Sequence, residues 1–155
     1  MRLAMRKASP DDIQQLVMMM TEFYAESPYT LNQQRATEAF TALLADDRLG
    51  HVWFIQSDSQ DIGYVVVTLC YSMEYGGLSA FVDDLFVRPA FRGAGLGTGA
   101  LAEVRAFCAA HGVRAIHVET GRENGAAKAV YRRAGFVDTD RLHLTLGLAE
   151  PTHTV

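Results

Sequence analysis

Apolar positions in this chain recur with two different periods, and the changes of period mark the elements. Ile13, Leu16, Val17, Met20 and Tyr24 fall on one helical face, and Met18 and Met19 widen the stripe. Ser9-Pro10-Asp11-Asp12 precedes that face as a helix start: serine caps, proline suits the first turn, and the aspartates favour the positive end of the helix dipole. Pro28 closes this region, and a second helix is expected from about Asn32 to Ala45, with Ala36, Phe40, Leu43 and Leu44 inward. Strand-like runs follow at His51 to Gln56 and Ile62 to Tyr71, joined through the polar turn Ser57-Asp58-Ser59-Gln60-Asp61. After the turn Glu74-Tyr75-Gly76-Gly77 comes another strand, Ala80 to Val87, halted by Arg88-Pro89. A helix carrying Leu101, Val104, Phe107 and Cys108 runs to about His111, with Gly112 just past its end. Val113 to Glu119 reads as a strand, Asn124 to Ala134 as a short helix ending at Gly135, and Arg141 to Leu148 as a last strand.

With a first strand over Leu3 to Ala8, the order is a mixed α/β sheet with a right-handed crossover from Val87 to Val113. The 155 residues suit one domain, 1–155, because neither a repeat nor a Pro/Ser-rich linker divides them. No apolar run approaches the ~18 residues of a membrane span, and the first nine residues lack the apolar core of a signal peptide. A cytoplasmic protein with no membrane partner is expected. Cys70 and Cys108 stand in neither metal-type nor redox-type spacing and are expected to be free, buried thiols. The formal net charge of −4 argues against nucleic acid as a partner and favours a cationic one.

The candidate chemistry begins at Arg92-Gly93-Ala94-Gly95-Leu96-Gly97, which follows a strand and opens a helix. Unpaired N–H groups and the dipole make a helix start a cradle for phosphate, and glycine lets the backbone approach. A nucleoside-triphosphate loop needs a lysine that is missing here, since Gly97 is followed by Thr98 and Gly99. A dinucleotide loop needs another glycine spacing and a place in the first βα unit. The stretch Asp84-Leu85-Phe86-Val87-Arg88-Pro89 followed by Arg92-x-x-Gly95-x-Gly97 instead closely resembles motif A of the GNAT superfamily of acyl-CoA-dependent N-acyltransferases. Asn124-x-x-Ala127-x-x-x-Tyr131-x-x-x-Gly135-Phe136 resembles that family's motif B, one helix and one strand later.

The resemblance implies a mixed, mostly antiparallel central sheet flanked by helices. It also implies a V-shaped splay between two parallel strands, Phe81 to Val87 and Val113 to Glu119. Acetyl-CoA would be the co-substrate and no metal is implied. Its pyrophosphate would rest on the turn of Arg92, Gly93, Ala94, Gly95, Leu96, Gly97 and Thr98. Its pantetheine arm would pair with the backbone of Leu85, Phe86 and Val87, where an N–H near Phe86 or Val87 would also face the developing oxyanion. Asn124 and Ala127 would lie along that arm, with Asn124 also reading as a plain helix N-cap.

Tyr131 stands where relatives place the acid that protonates the departing thiolate. A phenol, with an unperturbed pKa near 10, arrives protonated. Asp83 and Asp84 are candidates for the base that takes the amine proton, alone or through water, and His117 is a further one. The likeness of Val82-Asp83-Asp84-Leu85-Phe86-Val87 to the Glu-Asp-Leu-Tyr-Val strand of diamine-type relatives favours Asp83. Strand alternation would send the two aspartates to opposite faces. The acceptor pocket would be built from Tyr24, Glu26, Tyr29, Glu74 and Asp83, aromatics and acids that suit a primary ammonium. A polyamine-like or lysine-like small molecule is the first expectation. An aminoglycoside or protein acetyltransferase, or a non-catalytic acyl-CoA-sensing module, stands beside it. Homodimers are common among such relatives, so a homodimer is a further expectation.

Overall fold

A computed structural model describes residues 2–154. Its main sheet has five strands: β1 (Leu3–Lys7), β3 (Gly50–Ser57), β4 (Gln60–Ser72), β5 (Gly77–Val87) and β6 (Val113–Val118), in the order β1-β3-β4-β5-β6. All neighbours are antiparallel except β5 and β6, which are parallel. Helices α1 (Ile13–Tyr24) and α2 (Gln33–Ala45) cover one face, while α3 (Leu96–Ala110) and α4 (Gly125–Arg133) cover the other. Strands β2 (Thr30–Leu31) and β7 (His153–Thr154) pair in a separate small ribbon.

The elements start where local chemistry stops the alternatives. At the first helix, Pro10–Asp12 form a 3-10 turn, and the Asp12 carboxylate accepts from the Ser9 N–H at 2.8 Å. The Asn32 side chain caps α2 by accepting from the Arg35 N–H at 3.1 Å. The β3–β4 hairpin turns on Asp58 and Ser59, both at positive φ, a pair of conformations that matches the right-handed strand twist. Leu16 and Met19 of α1 and Phe40 of α2 pack on Phe54, Tyr64 and Phe86; Leu101 and Val104 of α3 pack on Val65, Val67, Ala80 and Val82.

Four expectations are corrected. Met18 is 60% exposed, because the apolar stripe of α1 passes through Leu16, Met19 and Met20 instead. Cys70, near the outer end of β4, is exposed, whereas Cys108 is buried as expected. Arg141 to Leu148 is not a paired strand; the residues that pair near the C-terminus are His153–Thr154, on β2. Finally, the alternation of β5 is broken. Opposite Val66 and Val67 of β4 stand Asp84 and Val82, so Asp83 is an extra residue, a β-bulge.

Candidate active site

The bulge reorganises the middle of β5. Val82 and Phe86 are both even-numbered and would share a face in a regular strand. Val82 packs under α3 and Phe86 under α1, so the phase reverses between them. By that reversal Asp83, next to Val82, and Asp84, in phase with Phe86, both turn toward the α1 side. The two aspartates are therefore neighbours on one face, contrary to the expected opposition.

Their surroundings differ. Asp84 is 7% exposed and is held by the Tyr64 hydroxyl, which donates at 2.9 Å, and the Tyr24 hydroxyl at 3.5 Å. Burial first, and then the charge of Asp83, push its carboxyl up to about 7, while the two phenols pull the other way. Asp83 is open to solvent; desolvation by its walls and the charge of Glu119 raise its carboxyl above the ordinary range. Glu119 lies just past the end of β6, where His143 Nδ1 approaches its carboxylate at 2.9 Å. Tyr24 and Tyr64 are held well above the usual phenol range, first by burial and then by Asp84. Tyr131, on α4, is raised by burial and also by Asp84, so its hydroxyl stays protonated. Asp84 thus meets phenols from α1 and β4, and its charge reaches the phenol of α4.

The donor side is made of backbone. Strand β6 pairs with β5 only from Leu78 to Val82, so β5 continues from Asp83 to Val87 with its outer edge free: the expected splay. The Arg88 N–H bonds back to Ile62 on β4 at 2.8 Å. Backbone groups alternate along an antiparallel edge, so those of Phe86 also point to β4 and those of Leu85 and Val87 point into the splay. The Phe86 ring is buried under α1. Of the three expected positions, Leu85 therefore offers both backbone groups and Val87 its N–H to an arm lying there.

Beyond Val87, Gly95 is the N-cap of α3 at φ 79°, and Gly93 has φ 82°. A Cβ added to either would meet nothing within 4 Å, so the turn faces open space. The first intrahelical bond is Gly99 N–H to the Gly95 carbonyl, which leaves the N–H groups of Leu96, Gly97 and Thr98 pointing out of the helix start. Leu96 anchors the turn by burying its side chain beside Ile55, Ile62 and Ala100. Ala94 completes the turn between the two glycines. These features fit the pyrophosphate and arm of a coenzyme A thioester. The Arg92 N–H is engaged by the Pro89 carbonyl at 3.2 Å. Its guanidinium donates to the Val87 carbonyl at 2.7 Å and to both oxygens of Glu26 at 2.8 and 2.6 Å. Asn124 is the N-cap of α4, accepting from the Ala127 N–H at 3.1 Å.

On the acceptor side, Tyr24 and Tyr29 lie 6.4 Å apart between ring centroids. Sequence reasoning assigned nothing to His153, yet β7 brings its ring 4.3 Å from Tyr29 and 5.6 Å from Tyr24. The two-residue strands that place it have no readable period. Glu26 and Glu74, expected as free acceptor charges, are both neutralised by arginines: Glu26 by Arg92, and Glu74 by Arg141 at 2.9 and 3.0 Å. Glu74 also lies beyond the Gly77 end of β5, roughly 20 Å along the strand from Asp83. His117 packs between Phe81 and Tyr75, at 5.1 and 5.8 Å, as a structural imidazole would. Among the described residues, no group of three or more His, Cys, Asp or Glu is arranged to hold a metal ion, and no helix is long and apolar enough to cross a membrane.

Residues 16–136 match the model of the Acetyltransferase (GNAT) family. With the splay, the glycine turn and the phenol of α4 in place, the chain belongs to this family. An aminoglycoside N(6′)-acetyltransferase type 1 from Stenotrophomonas maltophilia is 29% identical over 108 residues, covering 68% of this chain and 71% of that protein. An integron cassette protein from the mobile metagenome of Cole Harbour Salt Marsh superposes with a TM-score of 0.87 at 46% identity, over 96% of this chain and 92% of its own. A predicted acetyltransferase from Clostridium acetobutylicum, solved with acetyl-CoA, superposes with a TM-score of 0.79 at 23% identity, over 95% and 97% of the two chains.

Proposed function

We propose that this chain moves an acetyl group from acetyl-CoA to a primary amine of a small polycationic acceptor, with an amino sugar of the aminoglycoside class as the leading candidate and a polyamine-like or lysine-like amine as the second. The observation that carries the reading is the cluster of Asp83, Asp84 and Glu119 at the mouth of the splay, beside Tyr24. Several carboxylates with aromatic walls favour an acceptor with several ammonium groups. The likeness to an aminoglycoside acetyltransferase supports the choice among polyamines.

The bound donor supplies a thioester carbonyl. Leu85 and Val87 hold the arm through outward backbone groups, and the starts of α3 and its glycine turn hold the pyrophosphate. Asp83 takes the proton from the attacking ammonium, directly or through one water, because it is the exposed member of the pair. The nitrogen–carbon bond forms as the carbon–sulfur bond breaks, and the Tyr131 phenol gives its proton to the sulfur. Asp84 stays buried and keeps the electrostatic balance between Asp83, Tyr24 and Tyr131. Tyr24, Tyr29 and His153 form the wall against which the acceptor lies.

The experiment is thiol release from acetyl-CoA with a panel of aminoglycosides, polyamines and lysine derivatives. Turnover is expected with aminoglycosides above the others. Asp83→Asn and Tyr131→Phe should each lower kcat by about 100-fold, within the range for a lost general base or acid, with acetyl-CoA affinity unchanged. Full activity in both variants would remove the two roles. Binding of acetyl-CoA without turnover of any amine would favour a non-catalytic sensing module.

A further inference from the structure

Arg92 spans the gap between the two sides of the site. Its Nε donates to the Val87 carbonyl at 2.7 Å, and one terminal nitrogen donates to both oxygens of Glu26 at 2.8 and 2.6 Å. The guanidinium lies over the Phe86 ring, 5.8 Å from its centroid. Val87 ends β5 on the donor edge, and Glu26 sits in the turn after α1, between Tyr24 and Tyr29 of the acceptor wall. One side chain therefore ties the two halves together, and it does so through groups that each half needs for its own ligand.

On the donor edge, the Val87 carbonyl points into the splay, where an amide N–H of the pantetheine arm would meet it. Arg92 already holds that carbonyl, so the edge is one acceptor short. On the acceptor side, Glu26 is a carboxylate beside two tyrosines, suited to an ammonium, and it is engaged by Arg92. Arg92 opens the glycine turn, next to Gly93 at φ 82°, so a pyrophosphate resting there offers its guanidinium more negative charge than one carboxylate does. The pair is easily opened, because its side chains are 46 and 37% exposed and exposed ion pairs are weak.

A second pair supplies the contrast. Arg88 and Glu22 join the same strand end to the same helix one helical turn earlier, at 3.1 Å. Arg88 also donates to the Asp61 carbonyl at 3.4 Å, so its partners belong to α1 and β4, and neither is a backbone group of the free β5 edge. This pair is a fixed bolt.

We infer that Arg92 and Glu26 form a latch opened by the donor, and that Glu26 is an acceptor-binding carboxylate uncovered only when acetyl-CoA is bound. The arm takes the Val87 carbonyl, the pyrophosphate draws Arg92 away, and the freed Glu26 receives an ammonium group of the acceptor. This rests on the proposed reading of the site as one for a polycationic amine. Linkage then requires the acceptor to strengthen donor binding by the same factor.

The donor half is tested first, by calorimetric titration of the full chain with acetyl-CoA alone. Glu26→Gln should tighten binding about threefold, because its carboxylate no longer competes for Arg92, and Arg92→Gln should weaken it. Glu22→Gln removes the same charge one turn away and should leave the affinity unchanged. A merely structural bond would move both members of the pair in the same direction. Unchanged or weaker binding in Glu26→Gln, or an equal gain in Glu22→Gln, therefore overturns the proposal. The acceptor half is read with sisomicin, an aminoglycoside, titrated with and without CoA. CoA should strengthen its binding to the wild type about tenfold, and Glu26→Gln should abolish that gain and raise the KM for sisomicin with kcat held. Equal sisomicin affinity in the presence and absence of CoA overturns the proposal. If sisomicin does not bind the wild type at all, the polycation reading fails, and the latch stands or falls on the acetyl-CoA affinities.

Discussion

The donor side and the acceptor side of the splay are built from different materials. The donor side is backbone: the outward groups of Leu85, the N–H of Val87, the left-handed turn at Gly93 and Gly95, and the first N–H groups of α3. The acceptor side is side chains drawn from far apart in sequence: Tyr24 from α1, Asp83 and Asp84 from the bulge of β5, Glu119 after β6, and His153 from the C-terminal ribbon. Backbone is the same in every protein of a fold, so a site made from it stays tied to one ligand. A site made from converging side chains can change its ligand residue by residue while the fold stays put.

The sharpest way to break the contrast is at Gly95. Gly95→Asp puts a carboxylate in front of the helix start and is expected to weaken acetyl-CoA binding by about 100-fold, ~3 kcal/mol, in calorimetric titration. Gly95→Ala carries only the left-handed strain and should retain most of the affinity. Equal losses in both would mean that the turn acts through shape alone.

A smaller effect is expected on the acceptor side. The Asp84 carboxyl, near 7 in the fold against an ordinary 3.8, favours the folded state while protonated. That contribution is complete below pH 4 and drains away as the pH rises to 7. Asp84→Asn keeps a neutral acceptor for Tyr64 at every pH. Its melting temperature should exceed that of the wild type by several degrees at pH 8, since about 1 kcal/mol moves Tm by roughly 2–4 °C at this size. The gap should close toward pH 4. A gap independent of pH would show that Asp84 is already ionised when folded at low pH.

The smallest effect concerns Glu119. Its charge raises the Asp83 carboxyl, so Glu119→Gln should move the acidic limb of the kcat/KM profile to lower pH while leaving acetyl-CoA binding alone. An unmoved limb would assign the base elsewhere, and a change in acetyl-CoA affinity would blur the division between the two sides.

What was legible in the sequence follows the same division. Motif A and motif B are local, and the strand, turn and helix they mark lie where the periodicity puts them. Asn124 as N-cap and Tyr131 on α4 were readable because spacing fixes a helix start and a helix face. The acceptor side was not, because its residues meet only in the folded chain. Glu26 and Glu74 looked like free charges, since nothing local shows that Arg92 and Arg141 come to them. His153 was invisible because β2 and β7 are two residues each. Two adjacent acids inside the apolar run Phe81 to Val87 were a usable sign of a bulge, since regular alternation allows only one of them on the polar face. The leucine alternation at Arg141 to Leu148 predicted a strand, yet the segment pairs with no strand among the described residues. A pattern reports that one face is apolar, however, and not which surface covers it.

The bulge at Asp83 has one more consequence. Without that residue, Val82 and Asp84 would be consecutive, opposite Val67 and Val66, and both halves of β5 would already be in phase with their own helix layers. The sheet is complete without Asp83. In every regular strand of this molecule a one-residue deletion would turn the core inside out; here it would shorten the ladder to a plain one and remove the carboxylate alone. On the role proposed for Asp83, the scaffold and its base are separable at a single codon.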